Sequence, residues 1–455
     1  MENNSNSYEP HIIPISSLPS MLEDVDTPVI SRPLGVTAHQ IVCAGECGFF
    51  LVGGWNPTVF DGSGNPDDHY VRKVWKYNSS LREWTDLRCD ELTVPISLAH
   101  HSMFLLNSRD LFIFGGSLKA LDQQIIDNRV FLYNTETESW RQYSCSGDPP
   151  SQFVGHSHGA ACHYDREKRM LYVALSIANG PPNSGQPSTM HIYSLNCDSW
   201  HWEQISTKET SAASPSGFYG HKIIKWKNSL LFFGGEANEN CRYFFHKLLS
   251  FDLTARTWQH IATRGPSENK LSGKLWKTAS PGSHFGCVRY GDHVFLSGGI
   301  FSGLGTRRLK LVPDANEYFC APGVPENMNY LFSDHSGSNV SKRRLQPPGI
   351  RRLHLPTMRW NLFSFRFPQL WYHSVDVSPL GCMYSFGGCI TVDYNDETYS
   401  ERSEDILRVW LDIKPLKESC WESLLKRWKS RLTVLSDKEL KLLGIPQDLI
   451  RRLRF

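Results

Sequence analysis

Four residues near the C-terminus have the types and spacing of a docking device: Pro415, Leu416, Cys420 and Leu424. Leu416, Cys420 and Leu424 fall at i, i+4 and i+8, so a helix carries all three on one stripe. Such a stripe suits burial against another polypeptide. Histidines offer the other candidate chemistry. His39, His101, His221, His284 and His373 stand 14, 14, 13, 14 and 14 residues before the first glycine of a Gly-Gly pair, and His156 and His158 fill the same slot in a unit without the pair. Gathered together they would make a metal centre. One per unit, however, places each imidazole at the start of its own strand, where its ring nitrogens bond backbone, and no metal site or cofactor is expected.

The elements that position these residues are punctuated by glycine. Five apolar runs end in a glycine pair: Phe50–Gly54, Phe112–Gly116, Leu231–Gly235, Phe295–Gly299 and Tyr384–Gly388. Each reads as a short buried strand ending at a turn that excludes a β-carbon. The first glycines, at 53, 115, 234, 298 and 387, are separated by 62, 119, 64 and 89 residues. The gap of 119 is close to two of the shorter ones, so one unit has lost its glycines, and Met170–Ser176 supplies the strand of that unit. A second strand follows each pair and then a tryptophan: Val74–Tyr77 with Trp84, Val130–Tyr133 with Trp140, Ile192–Leu195 with Trp200 and Trp202, Leu248–Phe251 with Trp258, and Arg352–Leu355 with Trp360. Tryptophans at that place are expected between adjacent sheets, where a large flat side chain buries much area.

This order of glycine pair, aromatic strand and Trp resembles the kelch repeat. The resemblance implies an all-β fold over residues 11–413, a six-bladed β-propeller with four antiparallel strands per blade. The sixth unit, from Tyr372 to Leu411, passes into the C-terminal tail without a fourth strand or a tryptophan. The isolated apolar segment His11–Ile15 is expected to fill the gap, because an incomplete sheet would leave an exposed edge. Residues 1–10 read as disordered, and an insertion over about 313–349 reads as a disordered segment inside the fifth unit.

The chain has 455 residues, a net charge of +2 and 21% charged side chains, which does not suit a polyanion partner for the whole chain. Residues 414–455 are the exception, with 11 Lys and Arg against 5 Asp and Glu. Leucines interleave these basic residues at helical spacing without an aromatic platform, so nucleic acid is not the expected partner. The first residues lack a secretory leader and no 18-residue apolar run occurs, so a cytoplasmic or nuclear protein without a membrane anchor is expected. The twelve cysteines form no CxxC pair, and most are expected to be reduced and buried.

Residues 414–455 read as three short helices. Pro415 suits a first turn, Ser436-Asp437-Lys438-Glu439 is a capping box, the second helix ends near Gly444, and Pro446 opens the third. They carry more apolar surface than they can bury among themselves, so a partner is expected. Pro415, Leu416, Cys420 and Leu424 resemble the BC-box through which substrate receptors dock on elongin C. Ile445 and Pro446, with Leu449, resemble the hydrophobic-Pro element of cullin-2 receptors, although Asp448 stands where an apolar residue is usual. The resemblance implies a non-catalytic substrate-recognition subunit of a ubiquitin ligase, assembled with elongin B/C, cullin-2 and a RING subunit. It also implies a propeller face that reads client C-termini with a small last residue. Such a reader needs a cation or N–H donors for a carboxylate and a wall beside it. On the face that carries the glycine-pair loops, the candidates are Arg242, Arg307 and Arg308 as cations, with Ser216, Phe218, Tyr219, Tyr243, Trp371 and Tyr372 as donors and walls; Arg242 and Tyr219 lead. Two other classes stay open: a kelch scaffold binding actin or a signalling partner, and an enzyme resembling galactose oxidase, which the dispersed histidines disfavour.

Overall fold

The structure is a computed structural model that describes residues 11–13, 32–56, 69–96, 98–117, 127–151, 160–178, 188–206, 218–237, 247–265, 283–301, 344–345, 349–364, 367–368, 370–394 and 397–455. Six blades follow one another along the chain, antiparallel except that Ser146–Gly147 adds in parallel to the outer strand of the third. Blade one comprises Gln40–Cys43, Gly48–Val52, Val74–Asn78 and Glu83–Leu87. Blades two to five repeat this order, opening at His101–Leu105, Ala161–Asp165, Lys222–Trp226 and Gly286–Tyr290. Blade six holds Ser374–Val377, Cys382–Phe386 and Ile406–Trp410, and its fourth strand is His11–Ile13, with Ile12 opposite Leu407. Residues 1–10 and most of 313–349 lie outside the described residues.

The core is divided into six apolar layers, each between two neighbouring blades. The tryptophan of one blade meets the aromatic that precedes the glycine pair of the blade before it. Ring centroids are 5.2 Å apart for Trp84 and Phe386, 5.1 Å for Trp202 and Phe114, and 6.2 Å for Trp360 and Phe233. Aromatic burial therefore joins the units in a fixed sequence. The third blade shows what the glycines do. Without them its central strands run on as a nine-residue pair, Met170–Ala178 with Ser188–Asn196, because no left-handed turn interrupts the ladder.

The histidines link blades, with one correction. His39, His101, His221 and His373 lie directly across their inner hairpins from the first glycine of their own blade. In blade five that position belongs to Phe285, which is buried, and His284 stands one residue earlier. His284 instead matches Ala38, His100, Gly220 and Tyr372, all with φ between 57° and 68°.

Blade six is also sewn to blade one through side chains. Ser374 Oγ accepts from the Ile41 N–H at 2.9 Å and the Asp376 carboxylate from the Cys43 N–H at 2.7 Å. These bonds satisfy donors on an inner edge strand that has no further strand to pair with.

Three helices follow: α1 (Leu416–Val434), α2 (Asp437–Leu442) and α3 (Gln447–Arg454). Pro415 and Pro446 are N-caps, one residue before the first turns in which the sequence places them. The capping box at Ser436 and Glu439 is present, and Gly444 takes φ 79° after α2. The helices are not left to themselves. Trp421, Leu425 and Leu432 of α1 join Leu440, Leu449, Ile450 and Leu453 in one cluster that packs on Leu81 of blade one. Trp421 Nε1–H donates to Ser80 Oγ at 3.0 Å, and Asn78 Nδ2–H donates to the Arg452 carbonyl at 2.9 Å. Much of the surface expected to need a partner is thus covered by the ring. Among the described residues no helix is long and apolar enough to cross a membrane.

Candidate functional site

Two surfaces can do recognition, one on α1 and one on the face of the ring that carries the glycine-pair turns.

On α1 the two sides differ. Glu418, Trp421, Leu425 and Leu432 face the ring and are buried. Leu416, Cys420 and Trp428 are exposed, Leu416 by 79%, and with Leu424, Ser419, Ser423 and Arg427 they line a shallow groove. The stripe is therefore an apolar ridge with no covering segment among the described residues. The opposite side of the helix is fixed in place. Glu418, 3% exposed, receives two hydrogen bonds from the Arg452 guanidinium at 2.7 and 2.9 Å, and Glu422 pairs with both Arg408 and Lys414. Of the residues likened to a cullin-binding element, Pro446 is exposed and Ile445 half-buried. Leu449, 6% exposed, belongs to the helical core, so it shapes the unit instead of offering a contact. Leu442 and Leu443 are the exposed apolar neighbours, at 86% and 63%.

On the ring, the left-handed residues that open the inner strands form a chain of backbone bonds. The His100 N–H donates to Ala38 O at 2.8 Å, Ala38 N–H to Tyr372 O at 3.3 Å, and Tyr372 N–H to His284 O at 3.0 Å. Positive φ in a non-glycine residue is strained, and strain of this kind concentrates where a surface must be held in shape. The Tyr372 ring lies 4.0 Å from that of His284 and 5.9 Å from that of His100. His284 Nδ1 is 2.8 Å from Ser283 Oγ. Burial first, and then the charge of Lys222, hold His100 at a pKa of about 4, so the aromatic group is neutral at physiological pH. Lys222 itself is depressed by burial, and it makes no ion pair with a carboxylate among the described residues.

The seam between blades six and one is the most closely built part of this face. Trp55 exchanges backbone hydrogen bonds with Thr37 at 2.8 and 3.1 Å, and packs with Ala38, Tyr70 and Ala99. A hairpin of Cys389–Tyr394 and Glu397–Arg402 rises from the glycine pair of blade six, with Cys389 opposite Arg402. Trp371, 3% exposed, ties the base of this hairpin through two backbone bonds with Cys389. The Arg402 guanidinium stacks over Trp55 at 4.9 Å from the ring centroid. Its Nε is buried without a hydrogen-bond partner, and burial lowers its pKa. Glu404, two residues on, is taken by Arg32 at 3.1 Å and by the Gly35 N–H.

Of the ring residues singled out from sequence, Trp371 and Tyr372 meet at this seam. Trp371 is a buried support, and Tyr372 is half-buried at the surface. Phe218 and Tyr219 form a short strand paired with Glu236–Ala237. Ser216, Arg242, Tyr243, Arg307 and Arg308 lie outside the described residues. Arg402, Trp55 and Lys222 were not legible as a set. Trp55, directly after Gly53-Gly54, is the one signal that could have pointed to the seam.

Residues 111–309 match the KLHDC2/KLHL20/DRC7 Kelch-repeats domain. The chain is 26% identical over 431 residues to Kelch domain-containing protein 10 of Rattus norvegicus, an alignment covering 93% of this chain and 86% of that one. The Homo sapiens protein of the same name aligns with 26% identity, over 93% of this chain and 80% of its own length. The Drosophila melanogaster homolog is 23% identical over 433 residues, 92% of this chain and 62% of that one. A solved structure titled "Structure of YjhT" superposes with a TM-score of 0.48 at 14% identity, covering 83% of this chain and 95% of the other. The chain is thus similar to a Kelch-repeats domain over residues 111–309 and to Kelch domain-containing protein 10 over most of its length.

Proposed function

We propose that the protein is a non-catalytic substrate-recognition subunit of a cullin-2 RING ubiquitin ligase, working in the cytoplasm or nucleus. In this reading α1 docks on elongin C through Leu416, Cys420 and Leu424, with elongin B, cullin-2 and the RING subunit following. The glycine-pair face of the ring holds client C-termini with a small last residue. The observation that carries the reading is the division of α1. One side is locked to blade one by Trp421 and to α3 by the Glu418–Arg452 pair, while Leu416 and Cys420 of the stripe resembling a BC-box stay open to solvent and Leu424 is half-buried beside them. An exposed ridge of this kind on a rigid support is suited to a helix-binding groove on a partner.

Co-purification tests it. Leu416→Ala with Cys420→Ala should abolish capture of elongins B and C and leave the melting temperature unchanged, because neither side chain supports the fold. Undiminished capture, or no capture by the wild-type protein, sinks the ligase assignment and leaves the plain kelch scaffold.

A further inference from the structure

We infer that Arg402, stacked on Trp55 at the seam of blades six and one, is the anchor for a carboxylate of a bound peptide.

Arg402 is the last residue of a hairpin whose base is pinned by Cys389 and Trp371, so its backbone cannot swing away. A β-carbon on Gly35 would stand 2.8 Å from the Arg402 carbonyl oxygen, so this backbone is closely packed from the other side as well. The indole of Trp55 fixes the plane of the guanidinium, and Trp55 is itself held by Thr37 and by the edge of His69. An arginine that serves only solubility keeps its nitrogens in water. Here Nε is withdrawn from water and unbonded, and among the described residues no carboxylate meets the group. The cation–π contact, worth on the order of 1 kcal/mol, covers one face of a half-buried guanidinium and leaves its Nε–H without an acceptor. A planar fork held in one orientation is what bidentate recognition of a carboxylate requires.

The carboxylate has two possible sources in a peptide, its C-terminus or an Asp or Glu side chain. Tyr372, on the same seam, offers a half-buried ring packed on His284, and the backbone chain from His100 to His284 holds it rigid. The inference rests on the client-binding half of the function proposed above and not on its elongin half. Loss of elongin capture with peptide capture intact would overturn the ligase reading and leave this site standing.

The whole protein is offered three pools of synthetic decapeptides. One has free C-termini and no acidic side chain, one has C-terminal amides and no acidic side chain, and one has C-terminal amides with a single fixed glutamate. Captured peptides are counted by mass spectrometry. At least one carboxylate-bearing pool should be retained about tenfold or more over the neutral amide pool, and Arg402→Gln should erase that difference with the melting temperature held. Which pool is retained assigns the source. Trp55→Leu, which frees the guanidinium plane, should lower retention in the same pool. Equal retention of all pools, no retention of any, or unchanged discrimination by Arg402→Gln overturns the assignment. Should Arg402→Gln melt early, salt decides. Wild-type retention of the carboxylate pools must then fall as NaCl rises from about 50 to about 500 mM, and retention indifferent to salt overturns it too.

Discussion

The Nε2–H of His39, in the first blade, donates to the carbonyl oxygen of Phe386, in the last, at 3.0 Å. The bond closes the ring from within, and it sets the space available to the next residue. A β-carbon on Gly387 would stand 2.5 Å from His39 Cε1 and 2.6 Å from the Val36 carbonyl oxygen, in a backbone with φ +64°. His373 closes in the same way on Gly298, with Cε1 2.7 Å from that β-carbon position, and its Nε2 is 3.1 Å from Ser297 Oγ. The spacing of histidine and glycine along the chain is set within each blade, across its own inner hairpin; the packing of His39 on Gly387 and of His373 on Gly298 is a second relationship, made between consecutive blades at these two seams. Gly387→Ala should therefore cost roughly 2–4 kcal/mol from combined backbone strain and collision. Gly115→Ala meets the strained φ of +78° but nothing within 4 Å among the described residues, so its cost should stay near 1 kcal/mol. Urea unfolding of the two variants measures the difference, and equal losses would refute the contact.

The same burial makes stability depend on pH. Desolvation holds His39 at a pKa of about 4 and His101 and His373 at about 3, against 6.5 for a free imidazole. Their folded values lie below the unfolded one, so between about pH 6.5 and 4 the unfolded chain binds more protons, and stability must fall as pH falls. Each histidine should withdraw on the order of 1–2 kcal/mol by pH 5. Asp376, Glu46 and Asp405, raised by burial, work in the opposite direction below neutrality, while His100, His163, His191 and His293, lowered by burial, add to the three imidazoles and leave them the larger set. Melting temperatures recorded from about pH 7.5 to 4.5 should decline through this window; a flat profile contradicts the reading.

Glu418 and Arg452, both under a tenth exposed, form the one buried bidentate ion pair described at the helical unit. Removing one partner strands the other charge. Glu418→Ala should cost about 3–5 kcal/mol in the attachment of the helices. Hydrogen exchange would locate the loss, with α1 and α3 losing protection before the blades do. Uniform loss across the ring would show that the pair does not act locally.

The two sides of α1 separate recognition from stability. Leu416→Asp falls on an exposed position and should leave thermal unfolding within about 0.5 kcal/mol of wild type. Leu425→Asp, at 7% exposure in the helical core, buries a carboxylate without a partner and should detach the unit. Circular dichroism with limited proteolysis distinguishes them.

His11–Ile13 completes blade six by pairing with Ile406–Trp410. Deleting residues 1–20 bares that edge, and an open edge both destabilises the sheet and invites pairing between copies. A lower melting temperature with concentration-dependent association is the expected result, read by calorimetry and light scattering. Unchanged stability would remove the strand from any part in closure.

The blades were legible because the glycine pair, the following aromatic strand and the Trp occur together, and each answers to a local requirement of turn or packing. The place of Trp84 against Phe386, rather than against its own blade, follows from the ring and from no local rule. His284 misled because spacing along the chain cannot register a one-residue slip, which only the left-handed φ and the burial of Phe285 reveal. The open stripe of α1 was visible in its i, i+4 spacing. The opposite side was not, since Ser80 and Leu81, which receive Trp421, lie some 340 residues away in sequence. Arg402 escaped notice for a similar reason. An arginine before a strand looks solvated until the fold sets Trp55 beneath it.

Since the outer strand of the last blade comes from residues near the beginning and its partner from residues 406–410, a growing chain holds five blades before any circle can shut. The helices leave the ribosome immediately afterwards, and their seat on Asn78, Ser80 and Leu81 has by then long been waiting. A chain cut short before Ile406 therefore lacks both the last seam and the ridge of α1, so any product that displays the ridge on its seat has already been synthesised past the point where the circle closes.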